Sequence, residues 1–145
     1  MDIEIIYQLL LAIFFGALIG LEREYKGKEA GLQTYSLVAL GSCLFTIISF
    51  ELFKFFLNNS GVSFDPARII QAIAIGIGFI GAGVIFRQTS GVIGLTTAAG
   101  LWVTAAIGIA IGVKFYLLAS FVAFFSILIL AGFGILEEKF FEKSK

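Results

Sequence analysis

Residues 74–112 read AIGIGFIGAGVIFRQTSGVIGLTTAAGLWVTAAIGIAIG, and this stretch decides the fold of the chain. It is apolar enough for a bilayer and rich in glycine and alanine, and Arg87 is its one charge. Glycine weakens an isolated helix by about 1 kcal/mol relative to alanine, but small residues four positions apart let membrane helices approach closely. The stretch therefore predicts a tight helical hairpin around which the other helices assemble.

Small residues at a spacing of four predict the helix-packing surfaces. They lie in the first, third and fourth predicted spans, at Gly16 and Gly20, at Ala74, Gly78 and Ala82, and at Gly100, Thr104, Gly108 and Gly112. Residues 76–81 also match the dinucleotide pattern GxGxxG, but such a site needs a strand before the glycines, and here they lie inside an apolar run. A continuous packing helix is the preferred interpretation. The alternative is a helix broken within residues 76–83, whose free carbonyls line an ion site.

The composition is that of an integral membrane protein, and we predict a single domain over residues 1–145. Of the 145 residues, 59% are hydrophobic and 14% are charged, whereas soluble domains carry about 25% charged residues. The formal net charge is zero, so the chain lacks the excess of positive charge that is typical of nucleic-acid-binding proteins. The sequence has no histidine and one cysteine, Cys43. This excludes Ser-His and Cys-His catalytic sites and predicts a protein that is not an enzyme and needs no cofactor.

Apolar runs predict an all-α fold, a bundle of about five transmembrane helices, because a span needs roughly 20 apolar residues. The predicted spans are residues 3–21, 32–50, 69–86, 92–113 and 115–136, and the second helix is expected to continue toward Leu57. Residues 58–66 are predicted as a loop, 87–91 as a short turn and 137–145 as a polar tail. Lysines and arginines are concentrated in the first and third loops and the tail. By the positive-inside rule this predicts an N-terminus outside and a cytoplasmic C-terminus.

Charged and polar groups near the span ends supply the candidate functional residues. They are Glu22, Arg23, Asp65, Arg68, Arg87, Thr96 and Thr97. Two interpretations of the first group stay open. Residues 22–24 either pair locally at the interface, or Glu22 points into the bundle, opposite Arg87 or the two threonines. A charge held at membrane depth is costly and usually functional.

Asp65-Pro66 is predicted to begin the third helix, with the Asp65 carboxylate as its N-cap. Arg68 follows three residues later, close enough to pair with Asp65 across the first turn. Asp65 together with Glu51 is also a candidate magnesium site, because magnesium keeps several waters and is usually bound by one or two carboxylates.

Five stretches of the sequence resemble the membrane domain of the MgtC/SapB family. They are residues 16–24 (GALIGLERE), 30–41 (AGLQTYSLVALG), 67–70 (ARII), 76–85 (GIGFIGAGVI) and 94–108 (GLTTAAGLWVTAAIG). The resemblance implies a bacterial inner-membrane protein of about five helices, associated with magnesium limitation and acid adaptation. Many members add a cytoplasmic domain after the last helix, and this sequence is expected to lack one. It also departs from the members that carry Asn and Cys at the positions of Thr96 and Val103.

The preferred functional hypothesis is a non-enzymatic protein that works in the lipid bilayer by helix-helix contact. The contact would be made in a homo-oligomer or on a partner membrane protein, and the resemblance implies a membrane ATPase as one such partner. The alternative is a transporter or channel for magnesium or another small solute. An enzyme that acts on lipid is a more distant alternative, because the sequence offers no evident nucleophile-base pair.

Overall fold

The computed structural model describes residues 3–57, 65–89, 91–134 and 139. These residues form five α-helices, which are α1 (Ile3–Tyr25), α2 (Leu32–Leu57), α3 (Ala67–Gly83), α4 (Leu95–Gly112) and α5 (Tyr116–Leu128). A π-helix (Ile129–Phe133) extends α5, and two short strands, β1 (Phe86–Gln88) and β2 (Gly91–Ile93), join α3 to α4. Most of the predicted loop 58–66 and of the predicted tail 137–145 lies outside the described residues.

The all-α membrane fold is confirmed. Within the described residues, α1, α2, α4 and the continuous segment Tyr116–Phe133 are each long and apolar enough to cross a membrane. At 17 residues, α3 is shorter and measures about 25 Å at 1.5 Å per residue, the lower limit for a span. As expected, α2 continues to Leu57 as one helix, and α1 continues beyond Leu21 through the charged residues to Tyr25.

The core of the bundle is formed by α2 with α1 on one side and α4 on the other, and α5 packs against α4 and α1. Glycines make both close approaches possible. A Cβ atom on Gly16 of α1 would lie 2.6 Å from the carbonyl oxygen of Tyr35, and one on Gly20 would lie 2.8 Å from the Cα of Leu32. On the other side, Gly108 of α4 lies against the backbone carbonyl of Ala39. Two small-residue ladders therefore pack onto the same helix.

Of the two spans expected to form the central hairpin, α4 contacts every other α-helix of the described bundle, whereas α3 lies at its edge. α3 contacts mainly α4, at Ile77 and at Gly81, whose added Cβ would lie 3.4 Å from the Cβ of Ala98. Nothing lies within 4 Å of a Cβ built on Gly78, and Ala82 is exposed. Because α3 is rotated with Ile77 and Gly81 toward α4, Gly78 and Ala82 of the predicted ladder point away from the described bundle, whereas Ala74 is half-buried.

The link between these two helices also differs from the prediction. Residues 87–91 were expected as a turn, but β1 and β2 pair antiparallel with Phe86 opposite Ile93 and Arg87 opposite Val92. The third and fourth spans are correspondingly shorter than predicted. Gly94 begins α4 with φ +85°, and a Cβ there would collide with the carbonyl of Val84, so a glycine is required at this entry.

α3 runs as one continuous helix from Ala67 to Gly83. The alternative of a helix broken within residues 76–83 is therefore contradicted, and the GxGxxG pattern lies inside this helix rather than after a strand. The start of α3 follows the predicted capping pattern, since the backbone N–H of Ala67 donates to Asp65 Oδ1 at 2.9 Å.

Candidate functional site

A stripe of buried residues along α1 carries an arginine into the bundle. Gln8, Ala12, Gly16, Gly20 and Arg23 are all buried, and their spacing of three or four places them on one helix face. The face that packs against α2 through its glycines therefore also turns Arg23 inward, and this side chain is 3% exposed. A buried guanidinium is costly unless its charge and its donors are matched.

The arginine is held by the first turn of α4. Arg23 Nη2 donates to Thr97 Oγ1 at 3.1 Å, and Thr97 Oγ1 donates in turn to Glu29 Oε2 at 2.8 Å. Tyr35 of α2, fully buried, donates its hydroxyl to the Thr97 carbonyl at 3.2 Å. We call these residues, with Glu22 and Lys26, the Arg23 centre.

A second cation of the Arg23 centre reaches α5. Lys26 Nζ lies 2.8 Å from Glu22 Oε1 and donates to the carbonyl of Leu130 at 2.8 Å. Leu130 lies in the π-helix, and a Cβ on Gly134 would lie 2.9 Å from the lysine nitrogen. The absence of a side chain at Gly134 thus makes room for the ammonium group. Lys26 thereby ties the end of the fifth helix to the α1–α2 connection.

Part of the Arg23 centre is left without hydrogen bonds. The Glu22 carboxylate lies 3.8 Å from Arg23 Nη1 and is in ion-pair contact with Lys26, but neither of its oxygens has a well-oriented hydrogen bond within the described residues. Arg23 Nε is likewise buried without an acceptor there. Buried polar groups of this kind are uncommon in native structures and point to water, a ligand or a functional role.

The connection between α1 and α2 is fixed by two carboxylates. Glu24 Oε2 accepts from the backbone N–H of Leu32 at 3.0 Å, at the start of α2. The pKa of Glu29 is lowered by a backbone hydrogen bond and by the bond from Thr97. Because the charged form of Glu29 is favoured in the fold, this contribution to stability is present above the ordinary carboxyl pKa and is lost as the pH falls through the lowered value.

The structure separates the sequence candidates into two groups. Glu22, Arg23 and Thr97 come together. Arg23 reaches Thr97, whereas the Glu22 carboxylate is itself buried and is paired with Arg23 and Lys26, which combines features of both interpretations of residues 22–24. Arg87 and Thr96 are exposed and do not face Glu22. Arg87 is exposed because it lies in β1, whose residues are all exposed. Thr96 is exposed because it is the neighbour of the buried Thr97, and adjacent residues of a helix lie on different faces.

The candidates at the start of α3 do not form a site with the other residues. Asp65 caps α3, and no ion pair joins it to Arg68 within the described part of the chain. Glu51 pairs instead with Lys54, at 2.7 Å. No cluster of three or more Asp, Glu, Cys or His side chains that could hold a metal ion occurs among the described residues. The pairing of Asp65 with Glu51 thus receives no support.

A second polar site lies at the opposite end of the bundle. Gln8 is 2% exposed, and its Nε2 donates to the carbonyls of Ile111 and Gly112 at 2.8 and 3.0 Å, at the C-terminal end of α4. It lines a cavity of about 410 Å³ together with two ion pairs, Glu4 with Lys114 at 2.7 Å and Glu51 with Lys54 at 2.7 Å. We call this cavity the Gln8 pocket.

The sequence analysis missed Gln8, Lys26, Glu29 and Tyr35, and it also missed Glu4, Lys54 and Lys114 of the Gln8 pocket. Gln8 could have been found, because it lies on the α1 stripe that includes Gly16 and Gly20, and Arg23 continues that stripe. Lys26 could have been found from its spacing of four to Glu22. Nothing local marks Glu29 and Tyr35, since both contact Thr97, 68 and 62 positions away in the sequence.

A bundle of apolar helices with buried polar centres at its two ends defines a polytopic helical membrane protein. The chain belongs to the MgtC family, whose model matches residues 9–139. This confirms the resemblance that the sequence motifs indicated.

Curated relatives support the same assignment. "Putative magnesium transporter YhiD" of Escherichia coli (strain K12) is 42% identical over 144 residues, 99% of this chain and 67% of that protein. Protein SapB of Bacillus subtilis (strain 168) is 44% identical over 116 residues, 79% of this chain and 50% of SapB. Protein MgtC of Salmonella typhimurium (strain LT2) is 46% identical over 107 residues, 74% of this chain and 42% of MgtC. The chain thus spans 42% to 67% of the length of these relatives. No solved structure matches it.

Proposed function

We propose that this chain is a non-enzymatic membrane protein that regulates a partner membrane protein by helix-helix contact, in the setting of magnesium limitation and acid adaptation. The partner, by family resemblance, is a membrane ATPase, and a second copy of the chain is the other contact we expect. The inner membrane, with the N-terminus outside and the C-terminus in the cytoplasm, is part of this proposal.

The unoccupied small-residue face of α3 carries this proposal. Ala74, Gly78 and Ala82 form a ladder of the kind that permits close helix approach, yet no part of the described bundle covers Gly78 or Ala82. In α1 and α4 the equivalent ladders are filled by α2. Glycine weakens a helix, so an open ladder is costly unless another helix packs on it in the membrane.

The replacement Gly78→Leu is expected to reduce capture of the partner at least about 10-fold from native membranes while the protein itself still folds. Leucine has open space at this position, so it blocks the α3 face without disturbing α4. Affinity capture followed by mass spectrometry measures the loss, and the elution volume and thermal unfolding of the purified variant establish that it is folded.

Leu117→Trp serves as the matched control, because it adds bulk at an exposed position of α5, outside the α3 face. It should leave capture unchanged. Capture that is equal for the wild type, the α3 variant and the α5 variant would show that the α3 face is not the contact surface.

Transport of magnesium or another small solute is the second candidate, and the name of YhiD supports it. One observation favours it: buried polar side chains continue through the interior between the two polar ends. They are Gln8, Arg23, Ser42, Thr46, Thr97 and Thr104. However, α2 and α4 are in close contact at Gly100, Gly108 and Gly112, next to these polar side chains. A solute could therefore pass between the two helices only if they separated.

Liposomes that contain the purified protein alone are expected to show no more magnesium influx than empty liposomes, because the α2–α4 contact leaves no open path. An entrapped magnesium-sensitive dye measures the influx. Influx above that of empty liposomes, abolished by Glu22→Gln but retained in Arg87→Ala, would favour the transporter over the regulator.

A further inference from the structure

The Gln8 pocket combines charges of both signs with apolar walls. Glu4 and Glu51 bring carboxylates to its lining, and Lys54 and Lys114 bring ammonium groups, each about half exposed or more. Its volume of about 410 Å³ lies within the range typical of small-molecule sites. The pocket lies where α1 begins and where α2 and α4 end, so in a membrane it lies at the level of the lipid headgroups.

Hydrogen-bond acceptors are concentrated in the lining of this pocket. Gln8 is almost fully buried, and its amide nitrogen is committed to the last carbonyls of α4. No described residue donates to its Oε1, which remains to accept from a ligand. The C-terminus of α4 adds the negative end of a helix dipole. Together with Glu4 and Glu51, these acceptors favour a group that is positively charged and rich in N–H donors.

The two lysines determine what kind of cation fits. A bare divalent ion would face the ammonium groups of Lys54 and Lys114 at short range, whereas a zwitterion brings its own anion for them. Lys114 is also held in an unusual backbone conformation, with φ +67°. It occupies the position after α4 where glycine is usual, since the N–H of Phe115 bonds to the Ala110 carbonyl and that of Lys114 to Ile111. The helix ending thus accounts for the backbone conformation of Lys114.

We propose that the Gln8 pocket binds a phosphoethanolamine group, with its ammonium on Glu4, Glu51 and Gln8 Oε1 and its phosphate on Lys54 and Lys114. On binding, the two carboxylates exchange their lysine partners for the ammonium of the ligand, and the two lysines exchange their carboxylate partners for its phosphate. Every charge therefore keeps a partner of opposite sign. The group can come from an ethanolamine phospholipid or from a soluble phosphoethanolamine. This assignment is independent of the regulatory function proposed above.

Calorimetric titration of the detergent-purified protein tests the proposal, with dihexanoyl phosphatidylethanolamine and dihexanoyl phosphatidylcholine as probes. Ethanolamine lipid is expected to bind about 10-fold more tightly, because trimethylation of the amine removes the donors of charge-assisted hydrogen bonds. Glu51→Gln should abolish that preference. Lys54→Gln should weaken both lipids about equally, because it removes a contact to the phosphate they share.

Lys28→Gln is the control, since this exposed lysine lies at the other end of the bundle, and it should change neither affinity. Soluble O-phosphoethanolamine, titrated separately, distinguishes the sources. If soluble O-phosphoethanolamine competes with the ethanolamine lipid, the site is supported and its ligand is a soluble compound. If only the lipid binds, the site is supported and its ligand is a membrane lipid. Equal binding of the two lipids, or a preference that survives Glu51→Gln, overturns the proposal. Binding of Mg²⁺ alone that Glu51→Gln abolishes, without any preference for the amine, also overturns it.

Discussion

Gly108→Leu is expected to prevent α2 and α4 from packing and to destabilise the protein by about 3 kcal/mol or more. A Cβ at this position already collides with the backbone carbonyl of Ala39, and it would also lie 2.9 Å from the Cβ of Ser42. Overpacking a core costs about 1–3 kcal/mol when side chains can yield, and a backbone carbonyl yields less. Denaturation of the purified protein with SDS, followed by circular dichroism, measures the loss.

Gly78→Leu is the matched comparison, because it is the same substitution in a neighbouring helix with no atom within 4 Å of the added Cβ. Its stability should be at least that of the wild type, and up to about 1 kcal/mol higher, because leucine replaces a glycine that weakens the helix. Similar unfolding midpoints for both variants would contradict the close contact between α2 and α4.

Arg23→Met has the second large expected effect, a loss of about 2 kcal/mol of stability. Removal of the guanidinium takes away the donor to Thr97 and the positive charge beside the Glu22 carboxylate. Removal of one partner from a buried ion pair costs about 3–5 kcal/mol. The smaller value is expected here because Lys26 continues to pair with Glu22. Thermal unfolding of the purified variants measures the difference.

Arg87→Met is the control for this prediction, since Arg87 lies exposed in β1. It should be nearly neutral in stability. If the two arginine variants unfolded at the same temperature as the wild type, the Arg23 centre would contribute no stability and its role would have to be sought elsewhere. A loss of stability in both arginine variants would show that Arg87 makes a stabilising contact other than those of the described residues.

Rotation of a helix about its axis explains much of what the sequence could and could not predict. The spacing in α1 was correctly associated with helix packing, and the same spacing extended by three residues leads to Arg23. In α3 the same argument was misleading. The small residues occur at helical spacing there too, but Ile77 and Gly81, on another face, are the residues that contact α4.

The sequence by itself determined the membrane class, the all-α fold, the approximate spans and the family, because hydropathy, small-residue spacing and motif order are properties of local sequence. The tertiary structure decided that α2 and α4 form the centre of the described bundle and that α3, the first helix of the residue 74–112 hairpin, lies at its edge. It also decided which charge turns inward and which polar groups meet. Thr97 meets Arg23 across 74 positions and Gln8 meets Ile111 across 103. Such contacts depend on the relative rotation of whole helices, which no local pattern specifies.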